Sequence, residues 1–189
     1  GDSLVLTNSG ANPTSVTHNF TSASDGSVDI DGKSITYTGL EPVDDNLNAA
    51  TRVFNFTGGA EDITLSLDGA GPNLLIDSTL GESVSFPVPT GSLTITGSTG
   101  DTLSISTAVS IASGTVTLNV PTLTLSAPIT TGTVSGTATS VTVNAGGKIQ
   151  NGIDAAVAGE TVHIGTGTFN QSGITIAKAL TLSGTGASH

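Results

Sequence analysis

The stretch Ser92–Ser106, which reads SLTITGSTGDTLSIS, decides the fold class of this chain. Leu93 and Ile95 alternate with threonine and serine, and Leu103 and Ile105 repeat the alternation after a Gly/Ser/Asp-rich turn. Successive side chains of a β-strand point to opposite faces of the sheet. A period of two therefore predicts two half-buried strands joined by a short turn.

The same alternation recurs along almost the whole chain. It is found in DSLVLTN, GSVDIDGKSITYTG, TRVFNFTG, DITLSLDG, GTVTLNVPTLTLSAPI and TSVTVNAG. Between these segments lie turn motifs such as SDGS and LDGAG, in which aspartate accepts turn hydrogen bonds and glycine supplies positive φ. The sequence predicts an all-β fold whose N-terminal region is a β-sandwich or is β-solenoid-like, because both architectures bury alternate residues.

One segment, KIQNGIDAAVAGE, departs from the period of two. Ile149, Ile153 and Val157 recur at helical spacing, and Gly159 follows as a natural C-terminal stop. We therefore predict one short helix near residues 149–158.

The C-terminal segment GGKIQNGIDAAVAGETVHIGTGTFNQSGITIAKALTLSGTG contains several short motifs in a fixed order. They are Ile149-Gln150, Ile153-Asp154-Ala155-Ala156, Gly159-Glu160-Thr161-Val162, Gly167-Thr168-Phe169, Ile174-Thr175-Ile176 and Lys178 to Gly184. In this order they resemble the opening segment of right-handed parallel β-helix proteins of the pectin-lyase-like group. The resemblance implies that residues 147–187 begin such a helix, with the short α-helix capping the first coil and the strands TVHIG and ITIAKALTLSG following. No position matches the catalytic motifs of that group, so no active site carries over.

The upstream part resembles a different group of proteins. ITYTGLEPV and TLTLSAPITTGTVS are similar to repeats of giant bacterial surface proteins of the filamentous-haemagglutinin-like kind. With the proline-marked joint FPVPTG, these patterns predict three regions. Residues 1–90 form a compact β unit, residues 91–146 a repetitive β-strand region, and residues 147–189 the opening of the β-helix with its capping helix.

Composition restricts the function. The chain of 189 residues has no Cys, Met or Trp, and 15 acidic residues against 4 basic ones give it a net charge of −11. Such an acidic chain is unsuited to nucleic acid, whose phosphates require a basic surface. No apolar run reaches the roughly 20 residues of a membrane-spanning helix, so we expect no membrane insertion. An acidic, cysteine-free chain rich in Ser, Thr and Gly is typical of bacterial proteins that are secreted or lie on the cell surface.

Asp25, Asp29 and Asp31 in SDGSVDIDGK form the one candidate metal site. Asp29 and Asp31 are two residues apart and so share a strand face. Calcium takes six to eight oxygen ligands, and the Asp pair of EPVDDNLN or the Glu-Asp pair of GGAEDITL could add more. The spacing departs from the EF-hand loop, and turn formation is the alternative role of these acids.

Catalytic candidates are few. His18 and His163 occupy alternating strand positions and are expected to face solvent, and Lys178 is expected to be solvated or to guard a strand edge. Neither a paired-histidine zinc motif nor a G-x-S-x-G motif occurs. We predict no catalytic residues.

The sequence therefore predicts a non-catalytic structural or adhesive module of an exported bacterial surface or fibre protein. Its expected partners are other copies of itself, other surface proteins or a polysaccharide. If the chain is the whole mature product, an uncovered last coil predicts head-to-tail association into filaments. The alternative is a carbohydrate-binding module, or the front segment of a polysaccharide-processing β-helix protein.

Overall fold

The structure is a computed structural model that describes residues 2–69 and 71–185. Within these ranges the backbone forms seventeen β-strands and one short α-helix. The strands are β1 (Asp2–Leu6), β2 (Ser15–Phe20), β3 (Asp25–Ile30), β4 (Lys33–Thr38), β5 (Leu40–Asp45), β6 (Thr51–Phe56), β7 (Asp62–Leu67), β8 (Leu74–Ser78), β9 (Val84–Phe86), β10 (Ser92–Thr96), β11 (Thr102–Ile105), β12 (Val109–Asn119), β13 (Thr122–Leu125), β14 (Ile129–Gly136), β15 (Ser140–Val143), β16 (Thr161–Ile164) and β17 (Thr181–Gly184). The helix is α1 (Ile149–Ala155). The mostly β composition and the single short helix confirm these two predictions.

The strands form two sheets. The long sheet has ten strands in the order β1-β5-β9-β8-β7-β11-β13-β15-β16-β17, and the short sheet has seven in the order β14-β12-β10-β6-β2-β3-β4. In the long sheet only β8 is antiparallel to its neighbours. In the short sheet only the β2–β3 and β3–β4 pairs are antiparallel. Both sheets are therefore mainly parallel.

From β10 to β15 the chain alternates between the two sheets, and each strand pairs in parallel with the next strand of its own sheet. In the long sheet Thr102 lies beside Thr122, which lies beside Ser140. In the short sheet Ser92 lies beside Thr115, so the length of chain between paired residues differs from one circuit to the next. A bulge in β12 shifts the register between Ile111 and Thr115 and helps to absorb such differences in length.

Strand register stacks the apolar residues into continuous inner rows. One row of the long sheet contains Ile63, Leu103, Leu123, Val141 and Val162, all fully buried. Each such side chain contributes about 1.5–3 kcal/mol when it leaves water. The outward neighbours are mostly serine and threonine. A single hydrophobic cluster includes both ends of this core, and the division into three regions stays a prediction.

In the C-terminal segment, the predicted helix and the predicted strand TVHIG are present as α1 and β16. The residues that follow β16 differ from the prediction. Helix α1 ends at Ala155 rather than near residue 158, because Ala156 is extended (φ −71°, ψ 149°) and bridges to Ala138 beside β14. The strand predicted at Ile174–Ile176 is absent. The backbone amide and carbonyl of Thr175 form hydrogen bonds with the side chain of Gln150 instead of with a neighbouring strand. No described helix is long and apolar enough to cross a membrane.

Candidate functional site

The three predicted calcium ligands lie in and beside the β3–β4 hairpin. The carboxylate of Asp25 accepts the amide of Gly39 at 3.0 Å, and that of Asp29 accepts the amide of Gly32 at 2.8 Å. Asp31, at a φ of 50°, accepts two backbone amides at the start of β2. Among residues 2–69 and 71–185, no three His, Cys, Asp or Glu side chains are grouped so as to hold a metal ion. The carboxylates serve the turns here, and the calcium site stays a prediction.

A cluster of polar side chains lies instead inside the core. His18, Asp45 and Arg52 are each 0% exposed, and they come from β2, β5 and β6. The prediction that His18 faces solvent is wrong. Its side chain lies on the inner face of β2, where Val16 and Phe20 are also buried. His163, by contrast, is exposed as predicted.

Asp45 is the centre of this buried cluster. His18 Nε2 lies 2.9 Å from Asp45 Oδ2, and the Arg52 guanidinium contacts both carboxylate oxygens, one of them at 3.2 Å. The amide of Leu47 donates to Asp45 Oδ1 at 2.9 Å, and Arg52 also donates to the carbonyl of Leu47. The cluster joins the two sheets, since β5 belongs to the long sheet while β2 and β6 belong to the short one.

Aromatic rings enclose the cluster. The ring of His18 stacks on Phe54 with centroids 5.2 Å apart, and the guanidinium of Arg52 lies 5.3 Å from the centroid of Phe86. These contacts keep water out, and stacking of a cation on an aromatic face is favourable in a desolvated site.

The environment determines the charge of each member. Burial lowers the pKa of His18, and its hydrogen bond to Asp45 does not offset this. Burial by itself would raise the pKa of Asp45, but hydrogen bonds from His18 and Arg52 and the charge of Arg52 hold it below its ordinary value. We infer a charged Asp45–Arg52 pair with a neutral His18 whose Nε2–H donates to the carboxylate. A substrate has no access to side chains that are fully buried.

A second polar contact ties successive turns together near the start of β7 and β11. Glu61 is 4% exposed; it accepts the hydroxyl of Ser78, and its amide donates to Asp101 Oδ1 at 3.0 Å. Burial raises the pKa of Glu61, and the nearby charge of Asp101 adds to this effect while the Ser78 bond opposes it. Asp101 thereby links the turn before β11 to the chain before β7.

The segment after β16 holds both ends of α1. Gln171 accepts the amide of Ile149 at 2.8 Å through Oε1 and donates to the carbonyl of Gly147 at 3.2 Å. At the other end, the ammonium of Lys178 donates to the carbonyl of Asp154 at 2.9 Å and to the C-cap carbonyl. These bonds satisfy helix-end groups that α1 leaves unpaired. Lys178, expected to be solvated or to guard a strand edge, caps the helix instead.

Helix α1 in turn covers the last strand of the short sheet. Asn151 accepts the amide of Ile129 at 3.0 Å, where β14 begins. Beyond the end of β14, Ala138 donates to the carbonyl of Ala155 at 3.1 Å and accepts the amide of Val157 at 2.8 Å. A covered edge is protected from pairing with another chain.

The long sheet is not covered in this way. Its outermost strands in the described part of the chain are β1 and β17. On β17, Leu182 continues the inner row of Val141 and Val162 but is 38% exposed, whereas those two valines are fully buried. Within the described residues, β1, β17 and the outermost short-sheet strand β4 each have a neighbouring strand on one side only.

Comparison with protein-family models, with curated protein sequences and with solved structures finds no match to this chain. The described residues offer a stacked core, a buried charge cluster, a capping helix and three uncovered edge strands.

Proposed function

We propose that this chain is a non-catalytic structural or adhesive module of an exported bacterial surface or fibre protein, secreted or held at the cell surface. Its N-terminal region is a β-solenoid that leads into the capped start of a right-handed parallel β-helix. The observation that carries the proposal is the in-register parallel stacking of inner rows along the long sheet. Such stacking produces a stiff, elongated body whose length grows by one strand spacing per coil.

The solenoid proposal is supported by the way the chain travels. From β10 to β15 the strands alternate between the two sheets, and a strand's parallel neighbour in the same sheet lies one full circuit further along the chain. Parallel neighbours require such a crossover connection, and crossovers in folded proteins are overwhelmingly right-handed. A sandwich assembled from hairpins would have mainly antiparallel pairs.

The position of α1 supports the β-helix start. It follows β15, occupies the place at which the next short-sheet strand would fall, and closes the edge of β14 through Asn151. The chain then forms β16 and β17, which extend the long sheet.

The non-catalytic part of the proposal rests on access. His18 and Arg52, one of two described histidines and the one arginine, are sealed in the core with Asp45. Lys178 is engaged by the C-terminal end of α1. General acid–base chemistry requires groups within hydrogen-bond reach of a substrate, and the fully buried side chains of His18, Asp45 and Arg52 lie out of that reach.

Small-angle scattering tests the shape, and surface labelling tests the role. Ten strands at a spacing of about 4.8 Å make the long sheet about 45 Å across. The monomer should therefore scatter as an elongated particle whose longest dimension is at least about 45 Å. An antibody raised against the chain should label intact cells of the source bacterium. Labelling that requires permeabilised cells would contradict an exported role.

The alternative function is that of a carbohydrate-binding module or of the front segment of a polysaccharide-processing β-helix protein. A glycan array and an assay for cleavage of polyuronates, run side by side on the purified chain, discriminate the two. Specific glycan binding would favour a carbohydrate-binding module, and cleavage would overturn the non-catalytic proposal.

A further inference from the structure

We propose that copies of this chain associate head to tail, with β17 of one copy pairing in parallel with β1 of the next. The inference rests on the proposed structural function and names its partner, a second copy, and the strands that meet. Three observations carry it: the direction of the two edge strands, the apolar residues they present and the distribution of charge.

The edge strands have the same direction. β1 is parallel to β5 and β5 to β9, and β7 is parallel to β9 because both are antiparallel to β8. From β7 to β17 every pair is parallel. A copy translated along the stack therefore sets its β1 beside β17 in the pairing that already joins β16 to β17.

The inner faces of the two strands are complementary. Leu182 extends a buried row outward and lacks its next neighbour, as its exposure of 38% shows. On β1, Leu4 and Leu6 point towards the core, and Val5 is 51% exposed on the outer face. Leu182 set beside Leu4 continues the row and places Ser183 beside Val5.

Charge disfavours contact between two β1 edges. Residues 1–101 contain 13 acidic residues against Lys33 and Arg52, which is the entire net charge of −11. Residues 102–189 contain Asp154 and Glu160 against Lys148 and Lys178 and are neutral. Two copies that meet through their acidic N-terminal halves therefore repel each other, whereas a head-to-tail contact sets an acidic half against a neutral one.

A contact between two different ends does not close on itself. Each added copy presents a new free β17, so the expected product is a linear filament rather than a dimer.

Because the chain has no cysteine, engineered thiols test the register directly. Neighbouring strands lie about 4.8 Å apart, within the roughly 4.4–6.8 Å that a disulfide spans between Cα atoms. The double variant Val5→Cys/Ser183→Cys should form a ladder of cross-linked oligomers on mild oxidation, because both outward side chains are exposed. Each single variant should yield no species beyond a slowly formed dimer.

The matched control is Val5→Cys/Thr181→Cys, which moves one thiol by two residues on the same face of β17. That shift adds about 6.6 Å along the strand and exceeds disulfide reach, so its cross-linking should be about tenfold slower. Equal rates in the two double variants would overturn the proposed register.

Leu182→Asp tests assembly without thiols. It should remove the concentration dependence of light scattering while the melting temperature stays within a few degrees of wild type, because Leu182 is already partly exposed. A wild-type chain that remains monomeric at millimolar concentration would overturn the head-to-tail contact, as would ready dimers of a single variant. A chain that stays monomeric and still labels intact cells would overturn this inference and leave the proposed function standing.

Discussion

Replacing Arg52 with methionine tests whether the buried charge cluster joins the two sheets. Methionine fills much of the same volume but leaves the Asp45 carboxylate with only His18 and the amide of Leu47 among its observed partners. It also removes a donor from the carbonyl of Leu47. The substitution thus leaves a charge in the core without its counter-ion.

The size of the effect follows from two estimates. Breaking a buried ion pair by removing one partner typically costs about 3–5 kcal/mol. If Asp45 escapes by taking up a proton, the cost at neutral pH is about 1.4 kcal/mol for each of the roughly three pH units above its ordinary pKa, or about 4 kcal/mol. We expect Arg52→Met to lower the free energy of unfolding by about 3–4 kcal/mol near neutral pH.

The pH dependence gives the sharper test. In the folded variant, one extra proton on Asp45 or on His18 cancels the unbalanced charge of the cluster. The folded-state pKa of the group that takes up this proton is therefore raised above its unfolded value. The penalty is then complete at high pH and shrinks by up to about 1.4 kcal/mol per pH unit as the pH falls. Urea unfolding followed by far-ultraviolet circular dichroism between about pH 8 and pH 5.5 measures this change.

Lys33→Met is the matched control, because Lys33 is exposed and the same charge is removed. It should change stability by no more than about 0.5 kcal/mol. Adding Asp45→Asn to Arg52→Met should recover part of the loss, since no charge is then left alone in the core. The reasoning fails if Arg52→Met behaves like Lys33→Met, or if its penalty is the same at every pH.

Three further predictions concern other positions. The lowered pKa of His18 means that the folded state binds fewer protons than the unfolded state below about pH 6.5, so wild-type stability should fall as the pH drops through that value; His18→Gln should flatten this slope in urea titrations. Lys178→Met should speed amide hydrogen exchange in α1 with little change elsewhere, and unchanged exchange would contradict its capping role. A Cβ at Gly136 would overlap the carbonyl oxygen of Leu118 and lie 2.8 Å from that of Ala155, so Gly136→Ala should lower stability by about 1–3 kcal/mol in urea unfolding. Gly10→Ala should not, because its Cβ would meet only Asn8 Oδ1, at an ordinary contact distance of 3.9 Å.

Alternation along the chain was enough to predict most strands. It succeeded because a half-buried strand must place its apolar residues at every second position, whichever strand lies beside it. The alternation also placed two members of the buried cluster on the inner face. His18 lies two residues from both Val16 and Phe20, and Arg52 lies two residues from Phe54, so each faces the same side of its strand as these apolar residues. The polar identity of these residues led to the wrong prediction for His18, because an isolated buried charge is costly and its partner Asp45 lies on a strand of the other sheet.

The C-terminal segment shows the same limit. Helical spacing predicted α1, but the helix ends early because Ala156 bridges to the chain beyond β14, and Lys178 caps it from a distant point in the sequence. Neither contact can be predicted from the spacing of apolar residues within the helix. Gln150 belongs to a motif that the sequence analysis identified, but the motif does not show that its side chain binds Thr175, and Gln171 looks like an ordinary surface residue in the sequence.

Local sequence alone determined that this chain is all-β, that it has one short helix, and which residues of most strands face inward. Those properties follow from side-chain direction and period, which each segment sets for itself. Tertiary structure decided which strands lie side by side. The length of chain between paired residues varies from one circuit to the next, and loops and the bulge in β12 absorb the difference, so that the inner rows stay in register. It also decided which apolar side chains of the described residues are covered: Val162 lies between two paired strands and is fully buried, whereas Leu182 has a paired strand on one side and is 38% exposed.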